Sequence, residues 1–121
     1  MTDTSASISI VIPAKNEAAS IGAVLKQLRA LVPTAELVVV DDGSTDNTAG
    51  IANQHGARVV THPTSRGNGA AVKSGLRAVS GEIVVCMDAD GHHSPAAVPR
   101  LLDRPATAYD LVIAARLSRP T

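Results

Sequence analysis

Four short apolar, β-branched runs separated by stretches of helical periodicity constrain the fold more than any other feature of this chain. The runs are Ile8–Ile12, Leu37–Val40, Ala57–Thr61 and Ile83–Met87, with a weaker fifth at Leu111–Ala114. They are nearly continuously apolar rather than alternating, the pattern of strands buried on both faces. Between the first two, Ala18–Leu31 sets Ile21, Val24, Leu25, Leu28 and Leu31 at spacings of three and four, one face of a helix. Thr48–His55 reads as a shorter helix, with Ser44, Thr45 and Asp46 before it as cap candidates. Ala70–Val79 carries Val72, Leu76 and Val79 on one side, and Ser94-Pro95 opens a fourth helix. The order β-α-β-α-β-α-β-α-β, with short connections, predicts one layered α/β domain. Right-handed crossovers then give a doubly wound, mostly parallel sheet of about five strands, Rossmann-like, with order 3-2-1-4 at its core.

Composition narrows the function classes. The 121 residues carry 11 basic and 11 acidic side chains, so neither a nucleic-acid surface nor a polybasic membrane anchor is indicated. Cys86 is the only cysteine, which excludes an internal disulfide; it reads as a small buried hydrophobe. No apolar stretch reaches the ~20 residues of a membrane span. Residues 1–7 lack the layout of a signal peptide and read as a disordered tail before a domain at 8–121. A cytoplasmic protein is the expectation. Tyr109 is the single aromatic residue, so the core must be Val, Ile, Leu and Ala.

Every strong motif follows a strand. Pro13-Ala14-Lys15-Asn16-Glu17 follows the first, Asp41-Asp42-Gly43-Ser44 the second and Asp88-Ala89-Asp90 the fourth. All three therefore emerge at the carboxyl edge of the sheet, where open α/β sheets bind ligands at the switch point between strands one and four. Two carboxylates one residue apart repel unless a proton or cation intervenes, so Asp88 and Asp90 suggest a divalent metal holding a diphosphate. His92 and His93 follow, and His92 offers a third contact. A mixed oxygen and imidazole set favours Mn²⁺ over Mg²⁺.

The other motifs admit two readings each. Asp41 and Asp42 can simply end a strand in a turn, or Asp42 can accept from a nucleobase N–H. Asn16 and Glu17 can open the first helix, Asn16 as its cap. Pro13 cannot donate to a ladder and so ends the strand, freeing the backbone of Ala14 and Lys15 for a base or ribose. Arg66-Gly67-Asn68-Gly69 fails as a dinucleotide fingerprint because position 72 is Val and because it follows the third strand. It fails as a Walker loop because Val72, not Gly, precedes Lys73-Ser74. Gly67 and Gly69 then read as a loop into a helix whose small residues pack close to the sheet. Arg66 and Lys73 remain candidate partners for a base or an anion.

Taken in series, IPAKNE, VVVDDGSTDNT, RGNGAAVKSG and VVCMDADGHHSP resemble the family 2 glycosyltransferases of the GT-A fold, in order and spacing across nearly the whole chain. Together with the late DLVIAAR, they are most similar to polyprenyl-phosphate (dolichyl-phosphate) mannose or glucose synthases. Asp88-Ala89-Asp90-Gly91 is also similar to the nucleophile loop of haloacid-dehalogenase-type phosphatases, but that loop normally opens the fold rather than following a fourth strand. The glycosyltransferase resemblance implies that Pro13, Ala14, Lys15, Glu17, Val40, Asp42 and Arg66 surround the nucleoside. It implies that Asp88 and Ala89 contact ribose and diphosphate, and that Asp90 holds Mn²⁺ or Mg²⁺ with Asp88 and His92. Arg116 would reach the sugar or the acceptor phosphate, making Asp90 and Arg116 the catalytic candidates.

The implied reaction is inverting transfer of a hexose from GDP-mannose or UDP-glucose to a polyprenyl phosphate at the membrane's inner face. Departures from the family pattern are Lys15 for Tyr, His92 for Gln and Ala114-Ala115 for Gly-Ser. Such enzymes run about a hundred residues further, beyond the ~100–150 of one domain. The chain therefore reads as a donor-binding half, and the alternative is a non-catalytic nucleotide-sugar-binding remnant.

Overall fold

The computed structural model describes residues 7–81, 83–87, 89 and the backbone of 112–114. The elements are β1 (Ile8–Ala14), α1 (Ile21–Leu31), β2 (Glu36–Asp42), α2 (Thr48–Gln54), β3 (Arg58–His62), α3 (Asn68–Ala78), β4 (Ile83–Cys86) and β5 (Val112–Ala114). They form one five-stranded sheet of order β3-β2-β1-β4-β5. The first four strands run parallel, and β5 runs antiparallel to β4 with Val84 opposite Ile113. The expected core order 3-2-1-4 is present. The fourth helix expected from Pro95 lies outside the described residues.

The apolar runs become strands because both of their faces find cover. Ile10, Ile12, Leu37, Val39 and Val85 pack with Ile21, Leu25 and Leu28 of α1 and Ala52 of α2. Val11, Val38, Val40 and Val84 point the other way, onto Ala71 of α3. Each such Val, Leu or Ile contributes about 1.5–3 kcal/mol on burial. The α3 contact rests on small residues. A Cβ at Gly75 would collide with Val11 Cγ1 and lie 3.2 Å from Val40 Cγ2. Gly67 and Gly69, expected as the loop into that helix, lie away from the sheet: a Cβ added at either would meet nothing within 4 Å. Gly67 instead caps α3 at φ +99°, a conformation open to glycine. Ser9, fully buried, donates to Glu36 Oε1 at 2.7 Å and accepts from Gly81 N at 3.0 Å. Ser7, expected in the tail, already accepts from Ile83 N at 3.0 Å through its carbonyl.

Pro13 does not end β1. The strand continues to Ala14, with Pro13 opposite Val40 and Ala14 opposite Asp41 on β2. What ends is the pairing with β4, whose last register pair is Val11 with Cys86. The Val11 carbonyl accepts from Met87 N at 3.0 Å, so residue 11 faces β4. Strand alternation turns Pro13, two residues on, to the same side. Its missing N–H thus falls where the pairing of β1 and β4 ends, the switch point at which open α/β sheets bind ligands.

Candidate nucleotide-sugar site

The loops after β1 and β2 are sewn together by side chains. Asn16 sits at φ +55°, a left-handed conformation that its short polar side chain tolerates. Its Oδ1 accepts from Thr45 N at 2.8 Å and Asp46 N at 3.3 Å, and its own N–H donates to Ser44 Oγ at 2.8 Å. Glu17 N donates to Thr48 Oγ1 at 2.9 Å and Ala18 N to Asp46 Oδ2 at 3.1 Å. Asn16 is therefore not the cap of α1. That position is Ser20, preceded by a turn on the Glu17 carbonyl. Asp46 caps α2 from one residue upstream, accepting from Thr48 N at 3.0 Å and from the Thr48 hydroxyl. The Thr48 hydroxyl first, then the amides of Ala18 and Thr48, hold the Asp46 carboxyl below its usual range against the effect of burial.

Asp41 and Asp42 divide their work differently from the sequence expectation. Asp41 Oδ1 accepts from Ser44 N at 3.0 Å, closing the turn through Gly43, which has φ +77°. Asp42, 5 % exposed, was expected to offer an open acceptor to a base. Its Oδ1 instead accepts from Arg66 N at 2.8 Å and meets His62 Nδ1 at 2.8 Å. Its Oδ2 accepts from Ser65 Oγ and Gly67 N, both at 2.9 Å. A carboxylate has about four lone-pair directions, and all four are taken. Burial pushes the Asp42 carboxyl up. The Arg66 amide, His62, the Gly67 amide and Ser65 outweigh it and hold the group well below the usual carboxylate range. Asp42 thus organises the loop after β3. Val40, also expected near the nucleoside, is fully buried beneath α3 and can offer only its backbone.

The tip after β4 is tied to the same assembly. Ser20 Oγ lies 2.6 Å from the Ala89 carbonyl and 3.2 Å from Glu17 Oε1, and Ala89 is 2 % exposed. The middle residue of Asp88-Ala89-Asp90 is therefore anchored beside Glu17, across the opening that Pro13 leaves between β1 and β4. Asp88, Asp90, His92 and Arg116 themselves lie outside the described residues. Lys15 and Arg66 are exposed at this edge, and Ala14 is buried at its floor. Sequence reasoning missed Ser20, Thr48 and His62. Of these only His62 left a signal, a histidine ending an apolar run level with Asp42.

Comparison with known proteins decides the family. The model of glycosyl transferase family 2 matches residues 9–121. The chain belongs to glycosyl transferase family 2. It is 36% identical over 122 residues to the undecaprenyl-phosphate 4-deoxy-4-formamido-L-arabinose transferase of Serratia proteamaculans, covering 93% of this chain and 37% of that relative. Among solved structures, glucosyl-3-phosphoglycerate synthase from Mycobacterium tuberculosis, in complex with Mn²⁺, UDP and glucosyl-3-phosphoglycerate, superposes with a TM-score of 0.70 at 40% identity. That match covers 82% of this chain and 39% of the synthase. The same enzyme with Mg²⁺ and UDP matches with a TM-score of 0.69 at 38% identity, covering 82% and 39%. This family member thus has the GT-A, Rossmann-like fold and spans well under half the length of these relatives. No helix among the described residues is long and apolar enough to cross a membrane.

Proposed function

We propose that this chain binds the nucleotide-sugar donor of an inverting, metal-dependent glycosyltransferase that moves a hexose, from GDP-mannose or UDP-glucose, to a phosphate-bearing acceptor. The observation that carries the reading is the joining of three strand-end loops at one crevice: 16–18 to 44–48 by side-chain hydrogen bonds, and Ser20 to the Ala89 carbonyl. Such bonds hold a ligand frame in place before the ligand arrives, which lowers the ordering cost of binding. The backbone of Pro13 to Lys15 and the side chains of Glu17 and Arg66 flank the nucleoside. Asp42 shapes the wall from behind.

Asp88, Asp90 and His92 are two hard carboxylates and an imidazole, a donor set suited to Mn²⁺ or Mg²⁺. A cation there would neutralise charge on the leaving nucleotide diphosphate. Asp90 would orient the diphosphate, and Arg116 would steady the sugar or the acceptor phosphate. The acceptor oxygen attacks C1 from the face opposite the leaving group. A polyprenyl phosphate is largely ionised near pH 7, with its second pKa about 6, and so needs no strong general base. The name of the Serratia relative supports that acceptor and a site of action at a membrane surface. The mycobacterial synthase favours a second reading, a small phosphorylated acid as acceptor.

Calorimetric titration of the protein with UDP and GDP, with and without Mn²⁺, tests the donor site. Metal-dependent binding that disappears in Asp90→Ala and weakens in Ser20→Ala is expected. Equal binding without metal would sink the metal assignment, and no binding of either nucleotide would sink the donor site. Turnover of UDP-glucose or GDP-mannose separates a transferase from a binding-only remnant.

A further inference from the structure

His62 lies at the end of β3, 5 % exposed, between two partners. Nδ1 is 2.8 Å from Asp42 Oδ1 and Nε2 is 2.7 Å from Ser74 Oγ on α3. An ionised carboxylate only accepts, so Nδ1 carries the proton and donates to Asp42. In the neutral ring Nε2 then accepts from the Ser74 hydroxyl. The contacts run in the order of a hydrolytic Asp-His-Ser triad, but among the described residues no oxyanion site accompanies them. The amides of Arg66 and Gly67 already donate to Asp42, and Ser74 sits in the middle of α3, where backbone N–H groups are bonded within the helix.

The arrangement is a brace. α3 holds the ring through Ser74, the ring holds the Asp42 carboxylate, and the carboxylate holds the amides at 66 and 67 and the hydroxyl of Ser65. The braced loop also touches the turn after β2, since a Cβ at Gly43 would lie 2.6 Å from Ser65 N. Arg66 leaves the loop at the braced amide, with its side chain exposed at the carboxyl edge.

We infer that His62 is a positioning residue for the donor site: it fixes Asp42 so that the loop 63–67 presents Arg66 toward the nucleotide. The inference rests on the donor-binding reading above and adds a residue that touches no ligand. Its mark is coupling, because a brace acts only through the group it positions.

The test is UDP affinity with Mn²⁺ in variants whose fold is confirmed by circular dichroism. An Asn amide at position 62 reaches the place of Nδ1, whereas a Gln amide reaches that of Nε2. His62→Asn is expected to stay within about twofold of the parent, and His62→Gln to bind about tenfold more weakly. Arg66→Ala alone weakens binding, and adding His62→Gln to it costs less than about twofold more. Equal loss in the Asn and Gln variants, or an undiminished His62→Gln effect in the Arg66→Ala background, would overturn the inference. So would binding indifferent to Arg66→Ala. If Asp90→Ala still abolishes binding in those cases, the donor site stands and only the brace fails. If the parent protein does not bind UDP or GDP, both fail.

Discussion

Replacing Asp42 by Ala removes one side chain and leaves four donors without their acceptor: His62 Nδ1, Ser65 Oγ and the amides of Arg66 and Gly67. Ser65, Arg66 and Gly67 are exposed, so their donors can turn to water. His62 cannot, and an unsatisfied buried donor costs about 1–3 kcal/mol. Adding the lost charge-assisted bonds to backbone, the whole penalty is about 3–5 kcal/mol. That is a large share of the ~5–15 kcal/mol that holds a domain folded. Urea unfolding followed by far-ultraviolet circular dichroism is the suitable assay, because the chain has no Trp and one Tyr. With a slope of about 1–3 kcal/mol per M, the midpoint should fall by about 1–5 M. The sign of the pH dependence follows from the depressed carboxyl. A group whose folded pKa lies below its unfolded value of about 3.9 stabilises the fold fully above that value. That contribution is lost as pH falls toward the folded value. The gap between parent and Asp42→Ala should therefore shrink as pH falls below about 4. An unchanged midpoint, or a gap that does not shrink below about pH 4, would show that Asp42 is not the acceptor the loop depends on.

Two further outcomes follow from packing and burial. Gly75→Ala drives a methyl into Val11 Cγ1 on a packed face and should destabilise by about 1–3 kcal/mol, whereas Gly69→Ala meets nothing and should be neutral or stabilise by up to about 1 kcal/mol; equal midpoints would refute the close approach of α3. Burial pushes the Cys86 thiol up to about 11, so a disulfide reagent at pH 8 should react far more slowly than with a free thiol of pKa about 8.5. Reaction at the free-thiol rate would mean that the end of β4 is open to solvent.

Much of the fold was legible because its signals are local. The strands fall within two residues of the apolar runs, since a side chain in a buried strand must be apolar wherever the sheet is covered on both faces. The first two strands run further at their carboxyl ends than hydrophobicity suggests. Ala14, Asp41 and Asp42 still pair through their backbones, which carry no trace in side-chain character. The face of α3 was harder to see. Val72, Leu76 and Val79 mark its apolar side by pattern, yet the fully buried residues are Ala71 and Gly75. Close approach of a helix to a sheet selects small residues, and smallness gives no periodic signal.

What the sequence alone determined is the class and the location: a doubly wound sheet, an acidic motif after strand four and a ligand edge at the carboxyl ends. The tertiary structure decided which polar residues at that edge bond to one another and hold the loops together. Asp42 and Asn16 look like ligand and cap in the sequence because both roles call for a short polar side chain. Their actual partners lie 20 to 30 residues away on neighbouring loops and on β3, and the Ser20 link to Ala89 spans 69 residues. A hydrogen bond of that range exists only once strand order has brought the loops together. The same holds for the direction of β5, antiparallel to β4, since a run of Val, Ile and Ala pairs as well either way until its neighbour is fixed.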